Sequence, residues 1–331
     1  MRKFSGFASL AVAAVAVLAL GIGSATAADV TLRFSTAAPP ADFLAKAVEQ
    51  FKTDVEKADV GVKVEAFPAS GLFRQGTEVP ALQRGNLEMS TMTTFEVAQQ
   101  MPQYGFFNRA YLFRDYDHLH KVFYSPLAAD YRKVVEEKMG ITILSTAYLG
   151  TRQVNLRTKR KVSSPADLAG VKMRMPAGPE WLVLGQTLGV SPVPMGMPEV
   201  YLAMKTGTID GQENPLSILN AAKLYEVSEQ VVLTAHMLQP VFFNIATPVF
   251  NKLTDAQKKV VRDAAERAAR TNDEGRLADE KSVTANLVQR GLTVDTIDLT
   301  PFRALADKVY GQSELAKAWD KDLAQKVIDM R

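Results

Sequence analysis

Three segments hold the polar residues best placed to do chemistry. Arg174 ends a strand-like run, Val171-Lys172-Met173-Arg174-Met175-Pro176, directly before Ala177-Gly178-Pro179. Ligands of open α/β sheets bind off the carboxyl ends of strands. A guanidinium there offers a planar fork that can hold a carboxylate with two parallel hydrogen bonds. A solvated arginine on an exposed strand face fits the same local pattern. Arg152 follows Tyr148-Leu149-Gly150-Thr151, where the glycine signals a bend or a close backbone approach. Asn155, Arg157, Lys159, Arg160 and Lys161 come next. They read as a solvated loop or as positive potential beside an anion site. Asn214 closes Asp210-Gly211-Gln212-Glu213-Asn214-Pro215. Its amide can face a ligand, although local rules favour a helix cap with Pro215 in the first turn.

Catalytic motifs are scarce. The chain has no G-x-S-x-G elbow, no P-loop and no G-x-G-x-x-G after a strand. Its three histidines are His118, His120 and His236. The His118/His120 pair has i,i+2 spacing, whereas two zinc ligands on one helix need i,i+3 or i,i+4. The pair is expected at a charged, exposed helix start. There is no cysteine, hence no disulfide, thiolate nucleophile or cysteine-ligated metal. No metal and no cofactor are expected. A secreted hydrolase or isomerase would need a base, with Glu213 or the His118/His120 pair as candidates.

The elements that position these residues read as α/β. Residues 1–27 form a signal-peptide pattern: Arg2 and Lys3, an apolar stretch over about residues 7–22, then small residues up to Ala27. Removing them leaves 331 − 27 = 304 residues and a balance of 37 − 36 = +1. Near-neutrality argues against nucleic acid as a partner. About 300 residues suggest two domains. A strand over 30–35, a helix over 43–55 and a strand over 60–67 make an α/β opening with a parallel sheet. Further strands are expected over 141–144 and 171–176, and a short helix capped at Ser164. Thr254-Asp255-Ala256-Gln257 is a capping box that opens a long helix. Leu82-Gln83-Arg84-Gly85-Asn86-Leu87-Glu88 is echoed by Met204-Lys205-Thr206-Gly207-Thr208-Ile209-Asp210, each a helix end, a glycine and a strand entry. No linker separates two domains, so lobes with shared crossing segments are expected.

Taken in order, several segments resemble the solute-binding subunits of tripartite ATP-independent periplasmic (TRAP) transporters. They are Gly150-Thr151-Arg152-Gln153, the run from Ser164-Pro165-Ala166-Asp167 to Arg174-Met175-Pro176, and the run from Leu188-Gly189-Val190 through Glu199-Val200-Tyr201 to Asn214-Pro215. The resemblance covers nearly all of the mature chain. It implies a two-lobed periplasmic binding protein, type II-like, with two α/β sheet domains, crossing segments and a long helix spanning both lobes. One lobe would comprise 28–150 plus about 240–280, the other 151–239 plus about 281–331. It implies that Arg174 is the principal carboxylate ligand, that Arg152 adds a second contact and that Asn214 helps hold the acid. Similarity to sialic-acid-binding members places Ala37, Gln75, Thr93 and Met197 at ligand-facing positions. The acidic and amide groups those members use are missing here, which points away from sialic acid. Arg74 and Arg157 are candidates for extra positive charge. Trp181, Phe95 and Phe242 are candidates for an aromatic wall or for ordinary core. The implied partners are a small organic acid and membrane permease subunits.

Overall fold

The computed structural model describes residues 30–330. The expected leader over 1–27 lies outside the described residues. The opening strand, β1 (Val30–Ser35), buries Leu32 and Phe34 on alternate positions. The helix Phe43–Lys57 starts on Asp42, whose side chain accepts from the Leu44 N–H at 2.9 Å. Leu44, Ala47, Val48, Phe51 and Val55 form its buried face. The chain returns as β2 (Val62–Phe67), parallel to β1 from Val30↔Val62 to Ser35↔Phe67.

The other strands are β3 (Met89–Met92), β4 (Ile141–Leu156), β5 (Lys172–Met175), β6 (Ser191–Pro194), β7 (Gly211–Pro215), β8 (Gln230–Ala246) and β9 (Thr293–Thr296). Their order is β2-β1-β3-β8-β4-β7-β5-β6, with β9 paired to β8. The two long strands, β4 and β8, are antiparallel from Ile141↔Ala246 to Leu156↔Gln230. One end of the pair meets β3 through Met89↔Ile245. The other meets β7 through Arg152↔Pro215. Two continuous strands therefore carry two half-sheets, one per lobe. The strand expected over 141–144 is thus much too short, and Arg152 lies within it rather than past its end. Apart from the half-buried Thr151, β4 is buried throughout, so no alternation marks its length.

The long helix, Asp255–Glu280, has the expected capping box, with Thr254 and Gln257 satisfying each other's backbone N–H groups. Twenty-six residues at ~1.5 Å each span ~39 Å. Ala264, Ala265, Ala268 and Ala269 are buried along one face and allow close approach to the sheet. Further along, its polar residues serve the sheet. The β4–β8 register slips between Tyr148 and Gly150, which interrupts the ladder. There Asp273 accepts from the Tyr148 N–H at 2.7 Å, Asn272 donates to the Tyr148 carbonyl at 2.7 Å, and Glu280 accepts from the Thr151 N–H at 2.9 Å. Arg276 is fully buried between the lobes. It pairs with Asp42 at 2.5 Å and donates to Ser217 at 2.7 Å.

Candidate functional site

The site grows from the two long strands and the strand ends around them. Arg152 projects from β4, Gln239 from β8, Asn214 from β7 and Arg174 from β5. Gln75, in the loop after β2, reaches across from the other lobe. Together with Thr36, Leu44, Thr91, Thr93, Leu149, Trp181, Met197, Ile218 and Val241 they line a cavity of about 100 Å³. A wider recess of about 630 Å³, bounded by Arg74, Gln99, Gly178, Met195 and Trp319, lies outside it and shares Gln75 and Glu96 with its wall.

The two arginines are in opposite electrostatic situations. Arg152 is 2% exposed and bound to internal partners. Its Nε and Nη2 bind the two Glu213 carboxylate oxygens at 2.5 and 2.6 Å. Nη2 also donates to the Glu213 carbonyl at 2.7 Å, and Nη1 to Gln239 Oε1 at 2.7 Å. Those four bonds leave one of the five N–H groups of a guanidinium. His236 Nε2 donates to the same carboxylate at 2.9 Å, and its Nδ1 faces the Thr234 hydroxyl at 2.9 Å. That network suits a neutral imidazole protonated on Nε2. Burial pushes the His236 pKa down, outweighing the attraction of Glu213. Burial would raise the Glu213 pKa, but Arg152 and His236 outweigh it and hold it at about 2.

Arg174 is 1% exposed, not solvated on a strand face. It has no carboxylate in ion-pair range among the described residues. Its Nε donates to the Met195 carbonyl at 2.8 Å and Nη2 to Gln75 Oε1 at 2.9 Å. Three of its five N–H groups stay free. Burial pulls its pKa down to about 9, so it is still charged at neutral pH; Glu213 favours the charged form and Arg152 opposes it. The cluster of Arg152, Glu213, neutral His236 and Arg174 thus carries one net positive charge.

Asn214 lies inside β7 and caps no helix; the next helix, Leu216–Ala221, is preceded by Pro215 without a side-chain cap. Its Nδ2 donates to Gln212 Oε1 at 2.6 Å. Gln75 Oε1 accepts from both Arg174 and the Met197 N–H, at 2.9 Å each. Thr93 caps the helix Thr94–Gln100 and donates its hydroxyl to Glu96 at 2.5 Å. Ala37 and Met197 line the cavity, as does Trp181.

Other candidates stand elsewhere. Arg74 borders the outer recess and pairs with Glu199 at 2.9 Å on the surface. Phe95 is buried behind Trp181, stacked at 3.6 Å between ring centroids, and so supports the wall without forming it. Phe242 packs on Phe123 and Tyr131 in a core. Arg157 sits against Gly207 and takes the Asp210 carbonyl through its backbone N–H. Neither Phe242 nor Arg157 lines the cavity. His118 is not exposed as expected: it is buried, with Nε2 on the Val327 carbonyl at 2.8 Å. Glu213, the other candidate base, is locked in its ion pair. Gln239 went unnoticed in the sequence; its signal is a lone amide in the apolar run Met237-Leu238-Gln239-Pro240-Val241-Phe242.

A buried strand-end arginine thus lines a cavity between two α/β half-sheets. Residues 34–317 match the model of the bacterial extracellular solute-binding protein family 7, and the chain belongs to that family, the binding subunits of TRAP transporters. A solute-binding protein of Verminephrobacter eiseniae is 31% identical over 298 residues, covering 87% of this chain and 88% of that one. A TRAP periplasmic solute-binding protein of Roseobacter denitrificans, solved with bound 3-deoxy-D-manno-oct-2-ulosonic acid, is 36% identical. It superposes with a TM-score of 0.87 over 92% of this chain and 100% of its own. A second such protein, from Bordetella bronchispeptica, with pantoate assigned to its bound density, is 30% identical with a TM-score of 0.83, covering 91% and 99%.

Proposed function

We propose that this protein captures a small organic acid in the periplasm and delivers it to the membrane permease of a TRAP transporter. The observation that carries this reading is Arg174, a buried guanidinium with three free N–H groups and no carboxylate partner. A buried charge without a counter-ion is costly, and a ligand carboxylate supplies the missing anion. Charge-assisted bonds of this kind contribute about 1.5–3 kcal/mol. Asn214 and the last free N–H of Arg152 stand beside it. The acids named for the two solved relatives both carry an oxygen on the carbon next to the carboxylate. Acids of that type are the first ligands to test here.

The lobes meet at the irregularity near Gly150 on β4 and opposite it on β8. We place the division between the lobes at 150/151 and near 239/240, beside that register shift. Among the described residues, those up to 150 with about 240–280 move as one body, and 151–239 with those from about 281 on as the other. Ligand contacts made from both sides favour closure, and the closed form docks on the permease. Among the described residues no helix is long and apolar enough to cross a membrane. A thermal-shift screen against sugar acids, hydroxy and oxo acids, dicarboxylates and aromatic acids tests the reading. Saturable stabilisation without product formation is expected. Turnover of a bound acid, or no response to any carboxylate, contradicts it.

A further inference from the structure

Gln239 is 1% exposed, lines the cavity, and has an Nε2 without any hydrogen-bond partner. Its orientation is fixed. Oε1 accepts from Arg152 Nη1 at 2.7 Å. Arginine has no acceptor, so turning the amide over would set donor against donor. Arg152 in turn is held by both oxygens of Glu213, and Glu213 by His236. The backbone is held as well, by the pairing of Gln239 with Gly150. A rigid chain of four side chains therefore presents two N–H groups to the cavity. Leu149 and Val241, flanking this point on the two long strands, are apolar and offer no acceptor. A buried donor left unpaired costs about 1–3 kcal/mol, and an acceptor oxygen on a ligand in this cavity removes that cost.

We propose that Gln239 is a specificity-determining residue: it reads an acceptor oxygen on the carbon adjacent to the ligand carboxylate, selecting 2-hydroxy and 2-oxo acids over acids unsubstituted there. This rests on the carboxylate reading above. Arg174 fixes the carboxylate, and Gln239, joined to the anion site through Arg152, meets the next oxygen along the ligand. An acid lacking that oxygen leaves the Gln239 amide donor buried and unpaired, the situation in which polar sites discriminate best.

Calorimetry with two matched pairs tests this: pantoate against 4-hydroxy-3,3-dimethylbutanoate, and gluconate against 2-deoxygluconate. The wild type should prefer the 2-hydroxy member of a bound pair by about 5- to 150-fold, the ratio that about 1–3 kcal/mol gives. Gln239→Glu keeps the oxygen facing Arg152 and removes the free donor. Gln239→Met removes the amide at similar volume. In both, with the fold checked by thermal melting, the preference should fall to within about threefold. Binding of both members without preference in the wild type, or a preference unchanged in both variants, overturns the role of Gln239 and leaves the carboxylate reading intact. Absence of binding by these acids and by every carboxylate of the screen overturns both.

Discussion

Arg174 and Arg152 sit in one cavity, yet their removal should have opposite consequences. Arg152→Met leaves Glu213 buried with only the neutral His236 beside it, a loss that costs about 3–5 kcal/mol of stability. Arg174→Met takes away a buried charge that has no anion. The free protein should melt within a few degrees of the wild type or higher, while acid binding disappears. Differential scanning calorimetry of the two variants separates the roles; a collapse of stability in Arg174→Met would show that its charge is satisfied internally. Glu78, buried beside the cavity, gives a pH effect. Burial is the main cause that raises its carboxyl to about 7, against the Gly76 N–H that bonds it at 2.7 Å. The folded state then holds the proton over a range where the unfolded chain releases it, between about pH 4.5 and 7. Stability contributed by this residue is present below that window and is lost as pH rises through it, by about 1.4 kcal/mol per unit at most. Glu78→Gln should raise the melting temperature at pH 8 and change it little at pH 4.5. An equal shift at both values would contradict the assignment.

Among the elements, the long strands and the long helix do the positioning. Gly150 has a φ of +120°, and a Cβ there would lie 2.6 Å from the Cβ of Pro215. Gly150→Ala should therefore destabilise by about 1–3 kcal/mol through backbone strain and by about the same again through overpacking. Urea unfolding measures it; an unchanged midpoint would mean that the bend tolerates a side chain. Elements with strong local signals were legible in the sequence: the first strand and helix, the Ser164 and Thr254 capping boxes, and the two glycine turns. Gly85 and Gly207 both have φ of +73° after helices, as the echo suggested, although the second strand begins at Gly211, not at Ile209. The long strands were not legible, because a strand buried on both faces shows no alternation. For the same reason Arg174 looked undecided between solvent and site: its Met neighbours are as buried as it is. The pairing of Arg152 with Glu213 joins residues 61 apart and left no local trace. Asn214 was drawn toward a capping role by Pro215, and the sheet pairing of Gln153 with Asn214 overrode it.

For the whole molecule, the cleft is held from both sides. Gln75 on one lobe accepts from Arg174 and Met197 on the other, and Arg74 pairs with Glu199 across the mouth. The exposed pair contributes little, about 0–1 kcal/mol; the buried amide contributes more. Gln75→Ala should open the ligand-free protein, seen as a larger radius of gyration in X-ray scattering, whereas Arg74→Ala should leave the curve nearly unchanged. No expansion in Gln75→Ala would mean that other contacts set the closed geometry. The modest average charge of the chain conceals this local arrangement, in which one buried arginine awaits an anion. Titration of Arg174→Lys with the acid that binds the wild type tests that claim most directly. An ammonium is a point charge and cannot reproduce the fork, so a loss of affinity of about 10- to 150-fold is expected, the equivalent of about 1.5–3 kcal/mol; an unchanged dissociation constant would contradict Arg174 as the holder of the carboxylate.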